Sequence, residues 1–501
     1  MKKENWAYVF VGVCAGLIVA KTIQWNSFID PDAFYHATMS QFILQHGPLK
    51  NFPWLDLTLY GKYFADFHFL FHILEIPFIY FFGFSVGIRY SIIFLTVVVA
   101  ITVLFVFKKM HIRYPAFWVV LLLLTQTFLT RISLGKATPL DIIWFMLGIC
   151  AWFKNKPYWL AICAFLFALT HAAWIFLLVS ICILTCAECL IEKKLQKKHI
   201  NLFVFCLIGG FIGMLIHPNG LNMFRQSWIH IVSIGLFTPS ASLPMGLEWK
   251  GLTLSDFILM YDFWILILMF GIVGYSFSRK QNILHDERVR IFSIGVLSLV
   301  LFFMTLKSAR TAEYFSPIFV LFIASIWNIV DIKKSYITKW GIGSITLCVI
   351  LVTKGYISTW QDFRKNTFAD SLYSTSTRII AERAHPADRV FNNRWDDFPV
   401  LFHALAGTGD IRFISGLDPV PFDMVSSTLS HDYNELSFGT TTPTKEQVWS
   451  VIHDRAHSQF IFISYRGAGY KRLLHTIASD QRYTKISESD DSLVFTIDKT
   501  P

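Results

Sequence analysis

Asp30, Asp32 and His36 stand close together in the stretch FIDPDAFYHATMSQFILQHG, a few residues beyond the first apolar segment of the chain. Two carboxylates and an imidazole can take a proton from an acceptor hydroxyl or amide, or hold a divalent cation against a diphosphate. If the apolar segment before them crosses a bilayer, they lie where headgroups end and the outer aqueous space begins. An enzyme acting on a lipid-carried substrate needs its acidic groups at that depth.

The composition supports that placement. Of 501 residues, 54% are apolar and 16% charged, and the mean hydropathy is +0.50, which excludes an ordinary soluble enzyme and reads as a polytopic membrane protein. The 49 Phe, 16 Trp and 18 Tyr fit lipid-facing helices with aromatic belts. The net charge of +10 is a topology signal: Lys and Arg are dispersed among short hydrophilic gaps, with no basic stripe that would imply nucleic acid. All eight Cys lie in or beside apolar segments, so no disulfide framework is expected. The first apolar segment follows Lys2 and Lys3 but has no small-residue cleavage site, and it reads as an anchor that stays.

A helix crossing the hydrocarbon core needs about 20 apolar residues, fewer where a bundle thins its surroundings. Eleven spans follow, near 7–24, 88–107, 115–130, 139–153, 157–170, 172–190, 201–216, 257–277, 290–306, 312–330 and 337–353. With the N-terminus inside, the gaps KKMHIR, KNK, EKKLQKKH, SRKQNILHDERVR and DIKK are all cytoplasmic, as the positive-inside rule asks. The apolar stretch 67–82 is left out of the count as an interfacial or re-entrant helix, since a span there would turn KKMHIR outward; His68, His72 and Glu75 on it suit an interface. After about Trp360 charged and turn residues become frequent, and runs such as RVFNN, QFIFIS and SLVFTI alternate with helical patterns. The expected organisation is a transmembrane domain over 1–356, with an outer loop at 25–87, and a soluble α/β domain over 357–501 that an odd span count puts outside, in the periplasm of a Gram-negative cell.

This topology gathers polar residues on the outer face: Asp30, Asp32, His36, Arg131, Lys136, His171, His217, Asn219, Glu248, Lys307, Arg310 and Glu313. Carboxylates, imidazoles and cations converging there suit chemistry on a phosphate-bearing lipid. Each has a plainer reading. Asp30 with Pro31 can cap the following helix, His171 can bond a carbonyl at a helix break, and IHPNG is turn chemistry first. Lys307 and Arg310 can anchor at headgroups, while Arg310 and Glu313 are spaced for an ion pair.

DPDAFYHAT (Asp30 to Thr38) resembles the DPxxxYxAT-like pattern that opens the first external loop of the oligosaccharyltransferase catalytic subunit, within the GT-C superfamily of membrane glycosyltransferases. The resemblance implies that Asp30 takes the catalytic, metal-facing position, with Asp32 the alternative, and that Mg or Mn binds through Asp30 and Glu248 if a metal is used. RVFNNRWDDFPVLF faintly resembles the signature that opens the soluble domain and reads the acceptor, carried over only at Trp395 and Asp396. The second outer loop departs from the family pattern: RISLGKATP offers Arg131 and Lys136 where an acidic pair is expected.

The expected function is transfer of a sugar or oligosaccharide from a polyprenyl-phosphate or diphosphate donor to a glycan, lipid or protein acceptor at the outer face of the inner membrane. Asp30 or Asp32 would activate or orient the acceptor. His36, Arg131, Lys136, His171, Glu248, Lys307, Arg310, Trp395 and Asp396 would bind substrate and lipid phosphate. The alternatives are a protein oligosaccharyltransferase and a non-catalytic polysaccharide-binding or export protein. A transporter binds near the bilayer midplane, whereas most ionisable residues here lie at helix ends.

Overall fold

The computed structural model describes residues 3–236, 243–276, 284–330, 334–365, 367–467 and 469–497. The membrane part runs from α1 (Lys3–Thr22) and β1 (Ser27–Phe28) into a loop bearing α2 (Asp32–His46) and α3 (Leu59–Lys62), then α4 (Phe69–Lys109), α5 (Pro115–Leu123), α6 (Gln126–Ile132) and α7 (Thr138–Phe153). It continues through α8 (Pro157–Thr170), α9 (Trp174–Glu192), α10 (Lys197–Ile216), α11 (Leu221–Trp228), α12 (Leu254–Ser276), α13 (His285–Lys307), α14 (Ala312–Ile329) and α15 (Lys334–Lys365). Prolines in the first turns of α5, α7 and α8 start those helices where a backbone N–H would lack a partner anyway.

Among the described residues, seven helices are long and apolar enough to cross a membrane: α1, α4, α9, α10, α12, α13 and the stretch Ala309–Ile329. The eleven expected spans all coincide with helices: seven are these crossings, the one at 337–353 lies in α15, and three differ from full crossings. The span at 115–130 is broken into α5 and α6, which meet at 76° and make an eighth span only if counted as one. α7 and α8 are apolar but only 16 and 14 residues long, shorter than the bilayer core needs unless the bundle thins it.

α4 is two arms. Gly83 has φ 74° and ψ 175°, outside the helical region, a backbone state open mainly to glycine. Ser91 Oγ meets Glu75 Oε1 at 3.4 Å, whereas an unbroken helix would hold residues sixteen apart at about 24 Å. A Cβ on Gly87 would lie 2.6 Å from the Phe78 carbonyl oxygen, and the Phe78 and Phe94 rings are 5.4 Å apart. The chain therefore doubles back at Gly83. Residues 84–109 form the span, and residues 69–82 form a re-entrant arm on the loop side, matching the stretch left out of the expected count. That arm buries His72 and Glu75 inside the protein.

After α15, β2 (Phe368–Ala369) pairs antiparallel with β1. A five-stranded sheet follows, from β3 (Arg389–Asn392), β4 (Arg412–Phe413), β5 (Phe460–Ser464), β6 (Tyr483–Glu488) and β7 (Ser492–Ile497), in the order β4-β3-β5-β7-β6. β3 runs parallel to β4 and β5, and β7 antiparallel to β5 and β6. Every residue of β3 and β5 is buried, as expected of inner strands covered on both faces. α16 (Ser374–Arg383) and α17 (Phe398–Leu405) complete the part nearest the bundle.

This α/β unit sits on the end of the bundle that carries α2. His403 in α17 bonds Thr38 of α2 (Nδ1 to Oγ1, 2.9 Å) and stacks on Phe84. Asp56 takes Arg389 at 2.7 Å and Arg412 at 2.9 Å. Buried Arg89 reaches Asp370 at 2.9 Å with its guanidinium over Phe28. α1 begins beside the end of α4, where Lys108 lies over Tyr8, so the start of α1 and the α/β unit lie at opposite ends of the bundle.

Candidate functional site

α2 starts at Asp32, one residue after Pro31, and its first turn faces a cavity of about 100 Å³ between the bundle end and the α/β unit. Asp32, His36, His68, Lys136, Asp141, Glu248, Arg310 and Asp418 line it, together with Tyr35, Tyr60, His230 and Trp249. Asp30 is engaged at both oxygens. Oδ1 accepts the Asp32 backbone N–H at 2.9 Å, a cap-like contact, and Oδ2 meets Lys136 Nζ at 2.9 Å. Lys136 also meets Asp32 Oδ2 at 2.8 Å and lies 3.9 Å from Glu248.

The lysine ammonium thus stands among three carboxylates. Burial opposes its charge, but Asp30, Asp32 and Glu248 raise its pKa well above the ordinary lysine range. Withdrawal from bulk water pushes the Asp32 carboxyl up to about 6, with Lys136 pulling it down and Asp30 adding to the rise. Burial would raise Glu248 as well, yet Lys136, Arg310 and Arg131 together hold it well below the usual carboxylate range. Burial pushes Asp418, from the α/β unit, up to about 7.

Behind Glu248 the arginines divide their donors. Arg131 gives Nη1 to Glu248 at 2.7 Å, and its Nε and Nη2 to Glu313 at 3.0 and 2.7 Å. Arg131 does not line the cavity, and the partner of Glu313 is Arg131, not Arg310 as helical spacing allowed. Arg310 lies 3.6 Å from Glu248, contacts His171 Nε2 at 2.9 Å and sits over the Trp249 ring. His171 in turn lies 2.9 Å from Asp141 and stacks on His68.

The other expected residues lie further out. Lys307 is exposed at the end of α13 and does not line the cavity. Trp395 donates its indole N–H to the Pro244 carbonyl at 2.8 Å, touching the loop that carries Glu248. Asp396 pairs with Arg394 at 2.9 Å and Arg466 at 3.0 Å within the α/β unit. His217 and Asn219 bond the backbone of Asp66, so IHPNG braces the loop before the re-entrant arm. Sequence reasoning passed over Asp66, Asp141 and Asp418; Asp141 fell inside an expected span, and neither of the others had a local pattern to mark it.

Asp30 and Glu248 were the expected ligands of Mg or Mn. With Lys136 within 2.9 Å of Asp30 and two arginines on Glu248, a divalent ion between these carboxylates would have to displace the ammonium. Among the described residues no three His, Cys, Asp or Glu side chains are arranged to hold a metal. The donor set does not fit such an ion while Lys136 stands in it.

In sequence, no protein-family model and no curated protein matches the chain. Solved structures do match in fold. The oligosaccharyltransferase of Archaeoglobus fulgidus in its apo form aligns with a TM-score of 0.65 at 11% identity, over 92% of this chain and 70% of that one. The same enzyme in complex with zinc and sulfate aligns at 0.55 and 11% identity, over 91% of this chain and 68% of that one. The mycobacterial arabinofuranosyltransferase AftD gives 0.57 at 10% identity, over 99% of this chain but 40% of its own length. ArnT from Cupriavidus metallidurans, bound to undecaprenyl phosphate, gives 0.56 at 10% identity, over 98% of both chains. The chain is a multi-pass membrane protein with the fold of the GT-C glycosyltransferases.

Proposed function

We propose that this protein transfers a sugar or oligosaccharide from a polyprenyl-phosphate or diphosphate donor to an acceptor hydroxyl at the outer face of the inner membrane, with its N-terminus cytoplasmic and its α/β domain periplasmic. The observation that carries the reading is the cavity under the α/β unit, in which Asp32 and Arg310 lie on a shared wall with Glu248 and Lys136. A donor phosphate needs a cation that is not fully spent within the protein. Arg310 is the better candidate, because Lys136 is neutralised by Asp30 and Asp32, and Arg131 by Glu313 and Glu248. Stabilising the departing phosphate as its charge develops is the larger share of catalysis in such a site.

Asp32, partly exposed and with its pKa near 6, accepts a hydrogen bond from the acceptor and aligns it for attack, which lowers the barrier by orientation. Asp30 and Lys136 hold Asp32 in place. Trp395 and Asp396 are engaged inside the protein, which favours a glycan or lipid acceptor over a peptide. The test is turnover of lipid-linked sugar in membranes carrying Asp30→Asn or Asp32→Asn, alongside mass spectrometry of lipid-linked sugars and surface glycans with and without the gene. Loss of transfer at normal membrane abundance is expected, and full activity in both variants would end the reading.

A further inference from the structure

Behind the cavity, Asp66 and His72 join His36 of its lining in a chain that the site described so far does not use. Asp66 Oδ2 lies 2.8 Å from His72 Nδ1, and His72 Nε2 lies 2.8 Å from His36 Nδ1. All three residues are buried, with relative exposures of 3%, 0% and 2%. The other oxygen of Asp66 accepts the His68 backbone N–H, and Asn219 and His217 hold the Asp66 backbone, so the carboxylate is fixed in position. The re-entrant arm brings His72 to α2, and the reversal at Gly83 is what makes that contact possible.

One arrangement of donors and acceptors along this chain leaves a base facing the cavity. In it Asp66 accepts a hydrogen bond from His72 Nδ1–H, and His72 Nε2 is the acceptor of the next one. His36 must then donate from Nδ1, and its Nε2 carries a lone pair. His36 lines the cavity, and Asp32, one helical turn earlier on α2, lies on the same face.

We propose that Asp66, His72 and His36 form a proton relay in which His36 Nε2 takes the proton of the acceptor hydroxyl during transfer. The proposal rests on the glycosyltransferase reading above. As the acceptor oxygen bonds to the anomeric carbon, the bond from that carbon to the donor phosphate breaks, and its electron pair leaves on the phosphate oxygen. The hydroxyl proton goes to His36 Nε2, and the proton on His36 Nδ1 passes to His72 Nε2. The resulting imidazolium is stabilised by Asp66. When product leaves, the shift reverses and gives the proton to water entering the cavity.

The groups around His36 suit a base that is neutral before the reaction. From the re-entrant arm and its lead-in come His72 and His68, from the α8–α9 junction His171, from the loop before α7 Lys136, and from α2 itself Tyr35 and Asp32. Burial, and then His72, Lys136 and His171, depress the His36 pKa well below the ordinary histidine range. Asp66 and His72 are positioning residues, while His36 touches the reacting proton.

The experiment uses full-length protein in detergent or nanodiscs, with lipid-linked sugar extracted from the native membrane as donor and undecaprenyl phosphate as the binding probe. His36→Ala should lower kcat about 10²–10⁴-fold, leave KM and probe binding unchanged, and recover activity on addition of free imidazole. Asp66→Asn should lower kcat and lower the pH at which the rate reaches its plateau, because the imidazolium loses its counter-charge and holds its proton less tightly. If His36→Ala does not fold, the Asp66→Asn profile decides the matter. Loss of activity in His36→Ala without imidazole rescue, a loss confined to KM, or an Asp66→Asn profile identical to wild type would each overturn the relay. If wild type turns over and His36→Ala is fully active, the relay fails and the glycosyltransferase reading stands. If wild type neither binds undecaprenyl phosphate nor consumes lipid-linked sugar, both fail together.

Discussion

Removing the Lys136 charge tests the electrostatics of the site most directly. Its ammonium lies 2.9 Å from Asp30 and 2.8 Å from Asp32, and at an effective dielectric constant of about 20 each pair attracts by roughly 6 kcal/mol before solvation is counted. Desolvation cancels much of this, and breaking such a buried arrangement from one side costs about 3–5 kcal/mol. Lys136→Met keeps the stem and deletes the charge. If about 3 kcal/mol of that attraction acts on ionised Asp32, the acid limb of the rate profile moves up by about two pH units. In wild type the carboxyl pKa is near 6 in the fold, above its unfolded value, so the folded form holds the extra proton. This group therefore favours folding as pH falls through about 6, and the variant's deficit in thermal stability should shrink in the same direction. The assays are initial rates from pH 5 to 9 and thermal unfolding in detergent at pH 5.5 and 8. Near pH 7 the variant should be about tenfold slower than wild type and should recover at pH 9. An unchanged midpoint, or a loss of equal size at every pH, would refute the claim that Lys136 keeps Asp32 ionised.

Glu313→Gln removes one of the two carboxylates paired with the buried Arg131 guanidinium, leaving Glu248 alone, and should cost about 3 kcal/mol, read as a lower unfolding temperature and lower membrane abundance. Gly87→Val places side-chain atoms where a Cβ alone would lie 2.6 Å from Phe78 O. It should spread the two arms of α4 and lower both stability and activity by moving His72, whereas unchanged activity would argue against the packed hairpin. Chelation with EDTA should leave the wild-type rate within about twofold, because Lys136 stands where a divalent ion would otherwise bridge the carboxylates. A large loss restored by Mg or Mn would show that the lysine moves aside.

The membrane helices were legible because apolar runs of the right length have few other uses, and basic gaps between them order the spans. The loop side of the site was legible for a related reason. Asp30, Asp32, Glu248 and Arg310 are ionisable residues at the edges of apolar segments, where charge is costly unless something requires it. Pairing was not legible. Arg131 and Lys136 read alike as free cations in RISLGKATP, but one turns into the bundle toward Glu313 and the other into the carboxylates of the first loop. The break at Leu124–Thr125 coincides with the short polar stretch Thr125, Gln126 and Thr127, which the apolar residues on either side outweigh in a span-length hydropathy window. Asp66 and His72 depend on a reversal at one glycine and on the IHPNG turn about 150 residues later; the turn itself was legible, but nothing local says which segment it holds.

The α/β unit is part of the cavity wall. Leu417 and Asp418 come from it and line the cavity, Trp395 holds the loop that presents Glu248, and His403 bonds Thr38 in the helix that presents Asp32 and His36. Asp56 and Arg89 tie the first loop and the first spans to the same unit from two further directions. A site assembled this way cannot be preorganised by the bundle alone, because two of its acidic elements, α2 and the Glu248 loop, are braced from the α/β side. Preorganised charge is what makes such a site effective, since groups that reorient during the reaction lose much of their stabilising effect. The loop end of the bundle supplies the lysine and arginines, from α6, the loop before α7 and the turn before α14, and the α/β unit sets the distance between them and the acids.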